Sequence, residues 1–377
     1  MIKVFWYCEK WQPGGIQRVQ VNLLPYFDPK EIQFDLAFSE DGTALFDEKI
    51  QAAGARKMVT LDRRYGSPGK RTLANFFAVR RILRDGHYGA VHFNACHGVE
   101  LLYLLWAWVY RVPVRIVHAR NNGIGAGGKS RPIKVLAHKV CKRLFGWMAN
   151  GRLANSDLSA RWLFSASDVR KGRVRVLKNG VDADRFAFDP AGRNETRKAL
   201  RLENAFVVGH VGHFSYQKNH EFLLKIFSEI TKREPSARLL LVGEGEGEAA
   251  VREQARKLNI SDQVVFFGAA EDIPPLMSAM DAFVFPSRFE GCGNALLEAQ
   301  ASGLPCFASQ GVIPEAVAVT PLLHWLPLSD SPAAWADIIL AQTGKEPRRT
   351  HAAEIIRAGY DLAAMADFLN STYHGKG

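Results

Sequence analysis

The run Pro286-Ser287-Arg288-Phe289-Glu290-Gly291-Cys292-Gly293-Asn294-Ala295-Leu296-Leu297-Glu298 sets two carboxylates around a pair of glycines. An apolar stretch expected as a strand, Ala282–Pro286, precedes it, and a helical pattern, Ala295–Ala301, follows. Glycines in such a turn let the backbone come close to a ligand. With a helix starting near Asn294, the backbone N–H groups of 291 to 294 point outward where the helix dipole favours an anion such as a diphosphate. Glu298, in the first turn, can reach the same ligand. Two acids beside an anion site suit the hydroxyls of a sugar on one side and a ribose on the other. The competing reading is that Glu298 only complements the helix dipole and Glu290 is a solvated turn residue. From the residues alone both stand.

Other candidates follow expected strands. Gly14-Gly15 come soon after Lys3–Tyr7, so their amides either face an anion or form a tight turn. His118 ends the strand Val114–His118, with His92 and His97 as weaker candidates. Gly243-Glu244-Gly245-Glu246-Gly247 fits G-x-G superficially, but its acids repel phosphate, and it reads as a turn. Gly123-Ile124-Gly125-Ala126-Gly127-Gly128-Lys129-Ser130 fits the G-x4-G-K-[ST] phosphate loop literally, which makes a P-loop nucleotidase the alternative. Two features oppose it. His118 to Asn122 separate Gly123 from the strand's Val117, and no apolar strand ending in a magnesium-binding Asp follows at a fitting place. The stretch reads instead as a glycine-rich loop on the acceptor side.

Alternating elements must position these residues. In the first half, Lys3–Tyr7, Phe34–Phe38, Ala90–Phe93, Val114–His118 and Val174–Leu177 read as strands, with helices over Gln17–Tyr26, Thr72–Arg84, Val99–Tyr110 and Ile133–Ala149. In the second, Phe206–Gly212, Arg238–Val242, Val264–Phe267, Ala282–Pro286 and Pro305–Ala308 read as strands, with helices over Glu221–Lys232, Glu248–Leu258 and Ala295–Ala301. Apolar strands alternating with helices imply parallel sheets covered on both faces. Two such sets make an α/β chain of two doubly wound domains, split near Asp182–Asn194. The expected boundaries are 1–185 and 186–357, with a last helix, within Ala352–Tyr373, returning to the first domain over about 358–377. Ligands of such sheets bind beyond the carboxyl ends of the strands, where most of the candidates fall.

At 47% hydrophobic and 23% charged residues the composition is that of a soluble globular chain, without the roughly 18 uninterrupted apolar residues of a membrane span. Met1–Tyr7 is too short an apolar segment for a signal peptide. Cys8, Cys96, Cys141, Cys292 and Cys306 have neither metal-site nor disulfide-framework spacing, which fits a reducing cytoplasm. Charge is uneven. Residues 1–178 carry 30 Lys and Arg against 13 Asp and Glu, and the remainder carries 19 against 25. The first half should therefore meet something anionic: nucleic acid, lipid headgroups or a diphosphate-bearing substrate. No recognisable nucleic-acid module accompanies the charge, so nucleic acid is set aside. Arg131 to Trp147 mixes Lys134, Lys139, Lys142 and Arg143 with apolar residues and suits a helix on an anionic membrane, or equally one packed on the domain with a solvated basic face.

Taken together, Glu290-x7-Glu298 and its setting resemble the E-x7-E motif of glycosyltransferase family 4, whose members have the GT-B fold of two Rossmann-like domains facing across a cleft. The resemblance covers nearly the whole chain. Gly209-His210-Val211-Gly212-His213-Phe214-x-x-Gln217-Lys218-Asn219-His220 is similar to the family's donor-phosphate segment. Leu240 to Gly245, Glu298 to Pro305, Gly14-Gly15-x-x-Arg18 and Lys178 to Asp182 occur in the family's order. The similarity is greatest to bacterial transferases that build exopolysaccharide or capsule repeat units.

The resemblance implies a retaining glycosyltransferase that needs neither metal nor other cofactor. It would move a sugar from a nucleotide-sugar, a UDP-sugar first and a GDP-sugar second, to a saccharide on a polyprenyl diphosphate. Glu290 would hold donor-sugar hydroxyls and His118 would lie on the sugar side; these are the catalytic candidates. Gly15, His213, Lys218, Gly291, Cys292, Gly293, Asn294 and Glu298 would bind the donor, with Lys218 on the leaving diphosphate and Glu298 on the ribose. Gly14 and Arg18 would meet acceptor or phosphate. The first domain would take the acceptor and the second the donor, at the inner face of the cytoplasmic membrane. One departure stands out: where the family usually has arginine this chain has His213, a titratable group in place of a permanently charged one. A sugar-nucleotide epimerase on the same architecture is the other alternative.

Overall fold

The computed structural model of the protein describes residues 1–61, 65–123 and 131–376. Two compact units divide it: residues 1–180 with 362–377, and residues 181–361. The division falls a few residues from the expected 185 and 357. Val181 and Asp361 form a parallel bridge, and the Val181 N–H donates to the carbonyl of Tyr360 at 2.9 Å, which keeps 181–185 and 358–361 in the second unit.

The first unit is built on a parallel sheet of Ile2–Tyr7 (β1), Ile32–Phe38 (β2), Arg56–Val59 (β3), Ala90–Ala95 (β4), Val114–Ala119 (β5), Gly151–Ala154 (β6) and Arg175–Val176 (β7). Their spatial order is β3-β2-β1-β4-β5-β6-β7, so the sheet winds outward in both directions from β1. Side chains of a strand alternate between faces. Val4 and Trp6 thus join one core with helices Gly15–Leu23 and Leu362–Tyr373, while Phe5 and Tyr7 join another with Val79, Leu83 and Leu104.

The second unit repeats the plan with Val207–Val211 (β8), Arg238–Val242 (β9), Val264–Gly268 (β10), Ala282–Phe285 (β11), Cys306–Ser309 (β12) and Leu323–Leu326 (β13), ordered β10-β9-β8-β11-β12-β13. Leu240, Val242, Phe283 and Phe285 pack on one side with the helix Asn294–Ala301, and Leu239, Leu241, Ala282 and Val284 on the other with His220–Thr231 and Pro332–Gln342. Burial on both faces explains why these strands read as continuous apolar runs.

Three strands of these two sheets were not expected: β3, β6 and β13. Each is four residues long and interrupted by polar or small residues, and β3 and β13 lie at sheet edges, where one side needs no apolar cover. The expected helix over Val99–Tyr110 is a 3-10 segment, Gly98–Tyr103, followed by a short α-helix, Leu104–Val109. The expected helix within Ala352–Tyr373 is two helices, Ala352–Arg357 and Leu362–Tyr373, broken at Gly359, which adopts a φ of 84°.

Candidate active site

At the carboxyl edge of the second sheet, two loops are sewn together by their backbones. After β8 the chain runs through Gly212 to Lys218, and after β11 through Pro286 to Gly293. The Arg288 N–H donates to the Gln217 carbonyl at 2.8 Å, and the Asn219 side-chain amide donates to the Pro286 carbonyl at 3.0 Å. This lattice delivers Lys218 to Glu290: the ammonium donates to Oε1 at 2.6 Å and lies 4.3 Å from the centre of the Phe285 ring. Side-chain exposure is 17% for Lys218 and 7% for Glu290, so both charges are largely out of bulk water, where they interact far more strongly than on a surface. The Glu290 N–H is held in turn by the Val312 carbonyl at 3.2 Å.

The helix Asn294–Ala301 begins at Gly293, whose φ of 88° is open only to a residue without a Cβ at low cost. Gly291, Cys292 and Gly293 are buried, and Glu298 is 7% exposed in the first turn and a half of that helix. Cys292 packs into the apolar core behind the loop and contributes its backbone to the turn. Structure therefore gathers Lys218, Glu290, Gly291 to Asn294 and Glu298 on neighbouring strand ends of one sheet.

His213 is half-buried on the same edge, its Nε2 2.9 Å from Oε2 of Glu246. That partner comes from the glycine-glutamate run, which proves to be a brace. The Phe214 N–H donates to the Glu244 carbonyl at 2.9 Å, and the Gly247 N–H to the Phe214 carbonyl at 3.0 Å. A Cβ on Gly243 would run into the carbonyl of Gly212, so the close approach requires glycine there. The two other histidines of the segment belong to the core. His210 Nδ1 donates to the Val284 carbonyl at 2.8 Å, and His220 stacks on Phe214 with ring centres 4.3 Å apart. Burial, first of all, pushes their pKa values down to about 3 for His210 and about 2 for His220, so both are neutral.

In the first unit, Gly14 caps the helix Gly15–Leu23, Gly15 is exposed at its first position, and the Arg18 guanidinium lies 5.6 Å from the centre of the Phe46 ring. His118 ends its strand as expected, in surroundings that are already filled. Expected on the sugar side, it has no exposed surface, and both ring nitrogens are engaged. Arg120 Nη1 stands 3.2 Å from His118 Nε2 and 2.9 Å from Asn179 Oδ1. A guanidinium only donates, so His118 Nε2 accepts and its proton sits on Nδ1. Nδ1 then donates to His92 Nε2 at 3.2 Å, and His92 Nδ1 donates to the Tyr373 hydroxyl at 2.7 Å. One cation thus sets two tautomers in a row. Burial, then the charge of Arg120, holds both imidazoles neutral, well below the usual histidine range. Here His118 positions Arg120.

Arg120 and Tyr373 were missed in the sequence. Arg120 directly follows β5, a position that carries a signal; Tyr373 lies in the terminal helix, 281 residues from His92, and carries none. Of the phosphate-loop pattern, 124–130 lie outside the described residues.

Residues 205–342 match the model of the group 1 glycosyl transferases, and residues 13–185 that of glycosyltransferase family 4. EpsF of Bacillus subtilis (strain 168), named as a glycosyltransferase, is 31% identical over 367 residues, 96% of this chain and 93% of EpsF. The UDP-Gal:alpha-D-GlcNAc-diphosphoundecaprenol alpha-1,3-galactosyltransferase of Escherichia coli is 26% identical over 307 residues, 78% of this chain and 76% of that one. Among solved structures, Anabaena Alr3699/HepE in complex with UDP and glucose superposes with a TM-score of 0.75 at 20% identity, over 100% of both chains. The fold is that of the GT-B glycosyltransferases, as expected from the sequence.

Proposed function

The chain belongs to glycosyltransferase family 4 and is a glycosyltransferase using a nucleotide-sugar donor, and from that premise we propose a retaining, metal-independent enzyme that takes its sugar from a UDP-sugar. The acceptor is a saccharide on a polyprenyl diphosphate, in the synthesis of a bacterial surface polysaccharide at the inner face of the cytoplasmic membrane. The single observation carrying this reading is the Lys218–Glu290 pair at the carboxyl edge of the second sheet, beside the start of the helix Asn294–Ala301.

As the anomeric C–O bond breaks, charge builds on the departing diphosphate. A preformed cation in a poorly hydrated setting stabilises that charge without reorganising. Lys218 supplies it, supported by the N–H groups of Gly291 to Asn294 and by His213. Glu290 keeps one oxygen on Lys218 and accepts sugar hydroxyls with the other; Glu298 accepts from the ribose. The acceptor oxygen forms its bond to the anomeric carbon from the face the diphosphate leaves, and its proton passes to the departing phosphate oxygen. Gly14, Gly15 and Arg18 bind phosphate or acceptor in the first unit. Two likenesses support the choice of donor and acceptor: the E. coli relative is named for UDP-Gal and a diphosphoundecaprenol-linked sugar, and HepE was solved with UDP and glucose.

The test supplies UDP-sugars and a polyprenyl-diphosphate saccharide in EDTA, and follows UDP release and the product's anomeric configuration by NMR. Retained configuration in EDTA is expected. Inversion, an absolute metal requirement, or isomerised nucleotide-sugar formed without acceptor would overturn the reading, the last in favour of an epimerase.

A further inference from the structure

The helix Arg131–Phe145 leaves its apolar residues in solvent. Ile133 is 70% exposed, Leu136 63%, Val140 45% and Leu144 54%, and the spacing of 3, 4 and 4 lines them along one stripe. The stripe continues into Trp147, 59% exposed, whose ring lies 5.7 Å from that of Trp108, itself 46% exposed beside Val109 at 44%. Lys134, Lys139 and Arg143 are exposed on the same helix, and Arg111 is exposed just past Val109. The surrounding sequence is free of acid: between Glu100 and Asp157 there is no Asp or Glu, while ten Lys and Arg occur.

We infer that this face is a membrane-docking surface that inserts apolar side chains into an anionic bilayer: Trp108 and Trp147 at headgroup depth, the Ile133–Leu144 stripe below them, and Lys134, Lys139, Arg143 and Arg111 on lipid phosphates. Scattered apolar residues on a surface need no explanation, but a contiguous row of this size does. Charge complementarity selects the occupant. A stretch of chain whose only charges are cations, set around tryptophan and leucine, matches a uniformly negative, apolar-cored partner, whereas a folded protein partner would present both signs. Fifteen residues of helix span roughly 22 Å, too short to cross a hydrocarbon core of about 30 Å, so the helix lies along the surface. Among the described residues no helix is long and apolar enough to cross a membrane. The inference deepens the proposal of a lipid-borne acceptor and rests on it for its purpose, though not for its geometry.

The experiment sediments the full chain with vesicles of phosphatidylcholine alone and of phosphatidylcholine with phosphatidylglycerol, recording tryptophan emission alongside. Binding to the anionic vesicles is expected, with a blue shift and with quenching by brominated acyl chains. Lys134→Gln/Lys139→Gln/Arg143→Gln should weaken it about a hundredfold. Trp108→Gln/Trp147→Gln should abolish the quenching and weaken binding at least tenfold, with an unchanged melting temperature, since the substituted side chains are exposed. Absence of binding to anionic vesicles overturns the inference, as does binding that the tryptophan variant leaves intact. Self-association that is lost in that variant overturns it in favour of a second copy of the chain. UDP affinity measured in parallel separates the two proposals: UDP bound without vesicles sinks the surface alone, and vesicles bound without UDP sinks the donor reading alone.

Discussion

At the carboxyl edge of the second sheet a half-buried ammonium meets a buried carboxylate, whereas the same edge of the first sheet holds two neutral imidazoles strung between a guanidinium and a phenol. Both units share one strand order apart from the additional β7 of the first, so the difference lies in the residues on and after the strands. In the second unit the charges form a pair that a diphosphate and a sugar hydroxyl can divide between them. In the first, the hydrogen bonds run in one direction from Arg120, and the cation is fixed by partners already in place. On the proposed reading, one edge is arranged to exchange partners with a ligand, whereas the His92–His118–Arg120 row of the other has its partners in place.

The largest effect expected from this contrast is at Lys218. Lys218→Met should lower kcat/KM by about 10² to 10³-fold and also destabilise the fold by about 3 kcal/mol, because a buried carboxylate loses its cation. Lys218→Met/Glu290→Gln should recover most of that stability and none of the activity, measured by denaturant melts and UDP release. Recovery of both would break the comparison. Next comes Arg120→Met, expected to cost about 2 kcal/mol by leaving the acceptor nitrogen of His118 unpaired, while UDP affinity stays within about twofold. A loss of UDP affinity equal to that of the Lys218 variant would show that the edges do not differ as described.

Acid gives a third effect. His210 holds its pKa near 3 in the fold, against about 6.5 in an unfolded chain. The unfolded state therefore binds the extra proton first: the stability His210 contributes is intact above pH 6.5 and is lost as pH falls from there toward 3. By pH 5 the loss is about 2 kcal/mol from this group, and His210→Asn should flatten that part of the acid profile. The smallest effect is at His213, where His213→Arg should raise UDP affinity about threefold by placing a bidentate, permanently charged donor there.

Much of this architecture was readable in advance. Strands β1, β2, β4, β5 and all of the second sheet except β13 declare themselves, because burial makes most of their residues apolar. Arg56–Val59 and Leu323–Leu326 did not, since edge strands tolerate Arg, Lys and His. The donor-side residues were named from motif and position, but the contact between Lys218 and Glu290, 72 residues apart, needed the fold. Similarly, Glu246 looked like a repellent for phosphate and is the partner of His213. His118 was placed at the right strand end, but a sequence marks only where a strand stops and cannot show that Arg120 and His92 occupy both of its nitrogens.

The central claim is that the edge carrying Lys218, Glu290 and Glu298 binds the donor's nucleoside diphosphate without a metal. Thermal shift with UDP, GDP, ADP and ATP, each in EDTA or magnesium, tests it most directly. A ligand that binds only the folded state stabilises it by about 2.7 kcal/mol at a hundredfold excess over Kd. Such stabilisation is expected from UDP in EDTA and is expected to be lost in Glu298→Ala. Stabilisation by ATP with magnesium alone, lost in Lys129→Ala, would contradict it and move the nucleotide to the glycine-rich run Gly123 to Ser130.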